Sequence, residues 1–190
     1  MREMVLAICF SRVIFGNERA FKDAIRAIKS SGIDIELVLR DEPWTDNMVD
    51  FFGDTGVQIH RWRSVDLPLK GWIKDFVIEF LPRALTSNYT LYNFVRKTQR
   101  RNVPLTILIS DASILLGYGL LFRLCNVRVI YRCGSSLPNH NPLWRWIIVP
   151  LLKKSVSKYV VDSNFMRQKL SSDGVPIERI IVVRPTVPYR

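Results

Sequence analysis

KYVVDSNFMRQKLSSDGVPIERIIVVRPTV, from Lys158 to Val187, reads as a strand, a short helix, a tight turn and a second strand. Tyr159, Val160 and Val161 run into Asp162, Ser163 and Asn164, all residue types that cap helix N-termini. Phe165, Met166 and Leu170 follow at helical spacing, and Gly174 supplies the left-handed position that ends a helix. Ile180 to Val183 is then short, apolar and β-branched, as a buried strand should be. The stretch is one α/β repeat, and the rest of the chain repeats its logic.

The opening residues carry the same unit. Met4 to Phe10 is a near-continuous apolar run, the pattern of a parallel strand covered on both faces. A loop over Ser11 to Asn17 leads to a helix from Glu18 to Ser31 with Phe21, Ala24, Ile25 and Ile28 on one side, closed by Gly32. Ile33 to Leu39 is a second strand. A β-α-β crossover of this length is parallel and right-handed, so the expected fold class is α/β: a Rossmann-like, doubly wound, mainly parallel sheet of six or seven strands. Further strands fall at Gly56 to His60, Pro104 to Ile109 and Val127 to Arg132. A short helix follows Pro43, and longer ones cover Ala112 to Leu124 and Pro142 to Ser157, the last kinked at Pro150. Residues 61–101 read as a helical insertion in a single domain spanning 1–190, with Thr86, Ser87 and Asn88 preceding a helix from Tyr92.

Composition narrows the chemistry. A hydrophobic content of 48% over 190 residues supports a real core, and the apolar stretches Ile114 to Phe122 and Trp146 to Leu152 are far below the roughly 20 residues that span a bilayer. The apolar run in MREMVLAICFSR is too brief for a secretion signal, and Cys9, Cys125 and Cys133 lack metal-ligand spacing, so a reducing cytoplasm is the expected compartment, at the inner face of a membrane if any. The net charge of +11 favours an anionic partner: nucleic acid, a phospholipid surface or a phosphorylated small molecule. No helix-turn-helix, zinc-finger or RNA-binding signature accompanies it. Arg61, Trp62, Arg63, Lys70, Trp72, Lys74 and Phe76, and again Trp144, Arg145 and Trp146 with Lys153 and Lys154, admit two readings: a core face, or a helix lying in a membrane interface.

In an open α/β sheet the ligand crevice lies beyond the carboxyl ends of the strands, where strand order reverses. With the order 3-2-1-4-5, that point brings the loop Ser11 to Glu18 opposite Ser110 to Ala112. Gly16, Asn17 and Glu18 are therefore candidate substrate-binding residues, at a helix start suited to an anion. Gly16 can equally be a turn glycine, Glu18 a carboxylate stabilising its own helix, and Asp111 a helix N-cap. SRVIFGNER has one glycine, so it is neither a dinucleotide fingerprint nor a P-loop. The loop YRCGSSLPNHNPLW opens onto the same crevice with Arg132, Ser135 and His140. Asp111 and His140 are the candidate catalytic residues; an exposed loop histidine without function is the other reading of His140. No triad or metal set is legible.

GNERAFKDAIRAIKSSGIDIELVL and SKYVVDSNFMRQKLSSDGVPIERIIVVRPTV together resemble the amino-terminal domain of family-four glycosyltransferases of the GT-B fold, above all in the turn Gly174, Val175, Pro176, Glu178, Arg179, Ile180. The resemblance implies retaining, metal-free transfer from a nucleotide sugar to a glycan or lipid-linked acceptor. It implies no cofactor, with the nucleotide sugar bound mainly by a carboxyl-terminal donor domain absent from this chain. By it, Gly16 and Glu18 would border the donor diphosphate and acceptor, and Ser163 would close the acceptor side. Three positions depart from the family pattern: Phe15 where a second glycine is common, Cys133 and Gly134 where a histidine often follows the fifth strand, and Pro185 to Pro188 where N-G-V-D leads onward. The other expectation is a non-catalytic half that docks on a separate donor-binding subunit or on a membrane surface.

Overall fold

The computed structural model describes residues 3–11, 14–62, 81–100, 103–111, 113–133 and 149–184. Strand β1 (Met4–Cys9) holds no charged side chain, and its residues from Val5 to Cys9 are all buried. It pairs in parallel with β2 (Asp34–Arg40) on one edge and with β4 (Leu105–Ile109) on the other. Outside these lie β3 (Gln58–Trp62), β5 (Arg128–Arg132), β6 (Lys158–Val161) and β7 (Ile180–Val182). All pairings are parallel, and the order is β3-β2-β1-β4-β5-β6-β7. The expected reversal between the first and fourth strands is therefore present in a seven-stranded sheet.

Alternation along β1 sorts the core into two layers. Val5, Ala7 and Cys9 meet Phe21 and Ile25 of α1 (Gly16–Ser30) and Met48 and Phe52 of α2 (Thr45–Gly53). Leu6 and Ile8 face the other way, into a cluster with Leu91 and Val95 of α3 (Leu81–Arg100) and Tyr118 and Phe122 of α4 (Ser113–Leu124). Val156, directly after helix α5 (Val149–Ser155), and Leu170 of α6 (Asn164–Ser172) join the same cluster. No helix among the described residues is long and apolar enough to cross a membrane.

Strand β3 runs two residues later than expected, and two helix starts also differ. Helix α1 begins at Gly16, because Glu18 accepts the Phe15 N–H at 2.9 Å and makes Phe15 the capping position; Phe15 has no oxygen to make the reciprocal contact. Thr86, Ser87 and Asn88 lie inside α3 instead of starting a helix. Ser87 is buried and its hydroxyl pairs with Tyr118 Oη, so it does not compete for the helix backbone. The aromatic stripe around Trp72 and Phe76, and the basic-aromatic segment at Trp144 to Trp146, lie outside the described residues.

Helix ends α4 and α6 are closed in the same way. Val127 N–H donates to Phe122 O (3.1 Å) and Asn126 N–H to Arg123 O (3.0 Å); Val175 N–H donates to Leu170 O (3.0 Å) and Gly174 N–H to Ser171 O (2.9 Å). The left-handed residues are Asn126 (φ 50°) and Gly174 (φ 82°). Gly174→Ala is expected to lower stability by about 1–2 kcal/mol, the strain of an L-residue in that region, and Asn126→Gly to raise it by up to about 1 kcal/mol. Urea unfolding of both variants checks the pair.

Candidate functional site

The carboxyl edge of the sheet at the β1/β4 reversal is built from three loops. Asn17, in the first turn of α1, donates from Nδ2 to the Ser110 carbonyl after β4 at 3.2 Å. Arg132, the last residue of β5, donates from Nη1 to Asn17 Oδ1 at 2.6 Å. One amide thus ties the β1, β4 and β5 loops together, over sequence separations of 93 and 115 residues. Ser110 is itself fixed, its N–H donating to Ile8 O at 3.2 Å.

Arg132 is a cation of this edge, and Arg184 lines the groove beside it. Burial pulls the Arg132 guanidinium below the ordinary value, while the carboxylates of Asp162, Glu18 and Asp23 work against that. Arg132 also stands at one end of an apolar groove of about 390 Å³ between Ala20 and Ala24 of α1 and Ile130 and Val160 of the sheet. Glu18 is 5% exposed and spends one oxygen on the Phe15 N–H, a contact that serves the helix itself. Gly16 has an ordinary negative φ, and a Cβ built there meets no atom within 4 Å. Its lack of a side chain leaves open space beside the N–H groups of the first turn, which no helix satisfies internally.

Asp111 is exposed directly after β4, and its carbonyl accepts the Ile114 N–H at 3.3 Å. Ser163 caps α6, its Oγ accepting the Met166 N–H at 3.3 Å. Ser135 and His140 lie outside the described residues. The structure therefore gathers Gly16, Asn17, Glu18, Asp111 and Arg132 at one edge and gives Ser163 a capping contact. Sequence reasoning put Ser110 in the crevice loop without the link its carbonyl makes, and gave Cys9 beneath it no role there. No group of acid, cysteine and histidine side chains among the described residues could hold a metal.

Cys9 is 1% exposed, and burial pushes its thiol up to about 11 against contacts from Ser110 and Ser11. A raised value means the native state holds its proton longer than the unfolded chain. The associated stability is complete below the ordinary 9.0 and is lost as pH rises through about 11. The urea midpoint should fall across that window, and fall less in Cys9→Ala. Asn17→Ala removes two inter-loop bonds, one to a charge, and should lower stability by about 1–3 kcal/mol in the same assay at neutral pH.

No family model matches the sequence, and no curated protein sequence matches it. Solved structures do. The Arabidopsis thaliana protein UGT89C1, complexed with UDP-L-rhamnose, superposes with a TM-score of 0.67 at 12% identity, over 100% of this chain and 54% of that one. HepE of Anabaena, in complex with UDP and glucose, gives 0.64 at 12% identity over 95% of this chain and 44% of its own. The lipopolysaccharide outer core galactosyltransferase WaaB gives 0.60 at 14%, over 97% and 46%. The fold is that of a Rossmann-like GT-B domain, and the chain spans about half the length of the glycosyltransferases it resembles.

Proposed function

We propose that this chain is the acceptor-binding half of a retaining glycosyltransferase, one that moves a sugar from a nucleotide sugar to a lipid-linked or glycan acceptor. The observation that carries the reading is the match of almost the whole chain to about half of proteins solved with UDP or a UDP-sugar. A fold does not fix a reaction, so the chemistry rests on the edge described above. Its role would be positioning: holding an acceptor hydroxyl against the anomeric carbon and keeping water away, the contribution of a bound near-attack geometry.

Gly16 leaves room for the substrate to approach the start of α1, whose dipole is worth about 0.3–1 kcal/mol to an anion. Asn17 and Arg132 hold that loop in place. Asp111 and His140 are the residues assigned to the acceptor hydroxyl, and Ser135 is assigned to substrate binding. The donor is bound chiefly by a second, carboxyl-terminal domain or a separate subunit, and neither metal nor cofactor takes part. A non-catalytic half that only docks on such a subunit would share the fold but not the sensitivity of Gly16.

Gly16→Ala separates these readings. A Cβ there touches nothing in this chain, so urea stability should change by less than about 0.5 kcal/mol. Transfer of labelled sugar from UDP-glucose or another nucleotide sugar, assayed with the donor-binding partner, should drop at least about tenfold if substrate occupies the space. Full transfer by the 190-residue chain alone would overturn the two-half proposal. Unchanged transfer in Gly16→Ala would remove this loop from the site.

A further inference from the structure

Where a helix lies on a parallel sheet, the strand positions beneath it should be apolar. Val38 of β2 and Trp62 of β3 obey that rule under α3, buried in the same core as Leu91 and Val95. Their strand faces continue, two residues at a time, through Glu36 and Asp34 and through His60 and Gln58. All four are polar, and they stand at the amino-terminal ends of their strands.

The two layers part at this place. A cavity of about 560 Å³ separates these sheet residues from Phe94 and Lys97 of α3. Phe94 and Met4, the first residue of β1, give it an apolar wall. The Phe94 ring is set edge-on to two neighbours, with centroids 6.1 Å from His60 and 6.0 Å from Trp62. His60 Nε2 pairs with Glu36 Oε2 at 2.6 Å, the side chains being 27% and 24% exposed. That pairing spends one polar atom of each and leaves His60 Nδ1 and Glu36 Oε1 for a further partner. Among the described residues, the side chains of Asp34, Gln58 and Lys97 have no hydrogen-bond or ion-pair partner.

The hydrogen-bonding types of these groups select the ligand. The carboxylates of Asp34 and Glu36 only accept, the Lys97 ammonium only donates, and the Gln58 amide does both. A phosphate would face two carboxylates, and an amine would face the ammonium. A hydroxyl donates and accepts, so a ligand that carries several of them can meet every group at once. Two acids against one lysine leave little net charge for an ion to answer. The wall of Phe94 and Met4 asks in addition for an apolar surface on the ligand, since an aromatic face attracts C–H groups. A pyranose ring has such a face, with its hydroxyls around the rim; an open-chain polyol does not hold one.

We infer that this cavity binds a saccharide, one pyranose ring with its hydroxyls on Asp34, Glu36, Gln58 and Lys97 and its C–H face on Phe94. The site is separate from the candidate site at the β1/β4 reversal. Met4, Asp34 and Gln58 begin the strands whose carboxyl ends lead to that edge. The inference holds whether or not the chain takes part in sugar transfer, because it assigns a place that retains a glycan and no step of a reaction.

Titration of the isotope-labelled 190-residue chain with glucose, galactose and N-acetylglucosamine, followed by amide NMR shifts, tests it. Ligands of this size bind in the millimolar range, so the series runs to about 50 mM. At least one of these sugars is expected to move the amides of Glu36, His60 and Phe94 saturably, and sorbitol at equal concentration is not. Asp34→Ala with Lys97→Ala, a change confined to exposed side chains, should weaken binding at least about tenfold. Asp50→Ala with Lys154→Ala, the same charge change on exposed residues elsewhere, should weaken it less than about twofold. His60→Gln should weaken it about fivefold, with unchanged amide dispersion showing that each variant is folded. Absence of saturable shifts with all three sugars, or shifts confined to Asn17 and Ser110, overturns the assignment. An equal response to sorbitol, or equal loss in both double variants, does so as well.

Discussion

Strand β1, like its neighbours β2 and β4, is hydrogen-bonded along both edges and covered on both faces. A strand in that position must be apolar throughout, because a polar side chain on either face would be buried without a partner. Its neighbours run parallel to it, so each connection must travel back across a face of the sheet. The helices are those return paths. Because all strands point the same way, the loops that leave them collect along one edge. The candidate site is thus a by-product of the geometry that buries β1, and the chain's choice of residues there works on a platform already made.

The first and last α/β repeats were legible because their signals are local. Apolar runs of strand length, helical spacing from Phe21 to Ile28, and glycines at Gly32 and Gly174 each decide an element within a few residues. Strand order was legible by rule rather than by residue. Helix α3 was misplaced because a serine at position 87 is read as a breaker unless its partner is known, and that partner, Tyr118, is 31 residues away. The site was half legible for the same reason. Gly16, Glu18 and Asp111 could be placed at the crevice from strand ends alone. The link from Asn17 to Ser110 and Arg132 has no spacing signature, since it exists only once three strands are side by side.

The edge differs electrically from the chain as a whole. Around Arg132 the guanidinium is met by three carboxylates, Asp162, Glu18 and Asp23, whereas the sequence between Glu79 and Asp162 holds a single acid, Asp111. A crevice with charges of both signs and a base-rich stretch of chain answer to different partners. The first suits a ligand recognised by position, the second a surface recognised by charge density.

The position of β1 also bears on how the protein is made. Its first partner, β2, follows within one helix, but the residue paired with Met4 on its other edge is Leu105, about 100 residues later. At a synthesis rate of about 5–20 residues per second, the most apolar strand of the sheet waits roughly 5–20 seconds with an open backbone edge before β4 can leave the ribosome. The nascent β-α-β unit is therefore the form most exposed to strand pairing with other chains. A holdase that shelters β1 during that interval would govern yield more than any change to the finished fold.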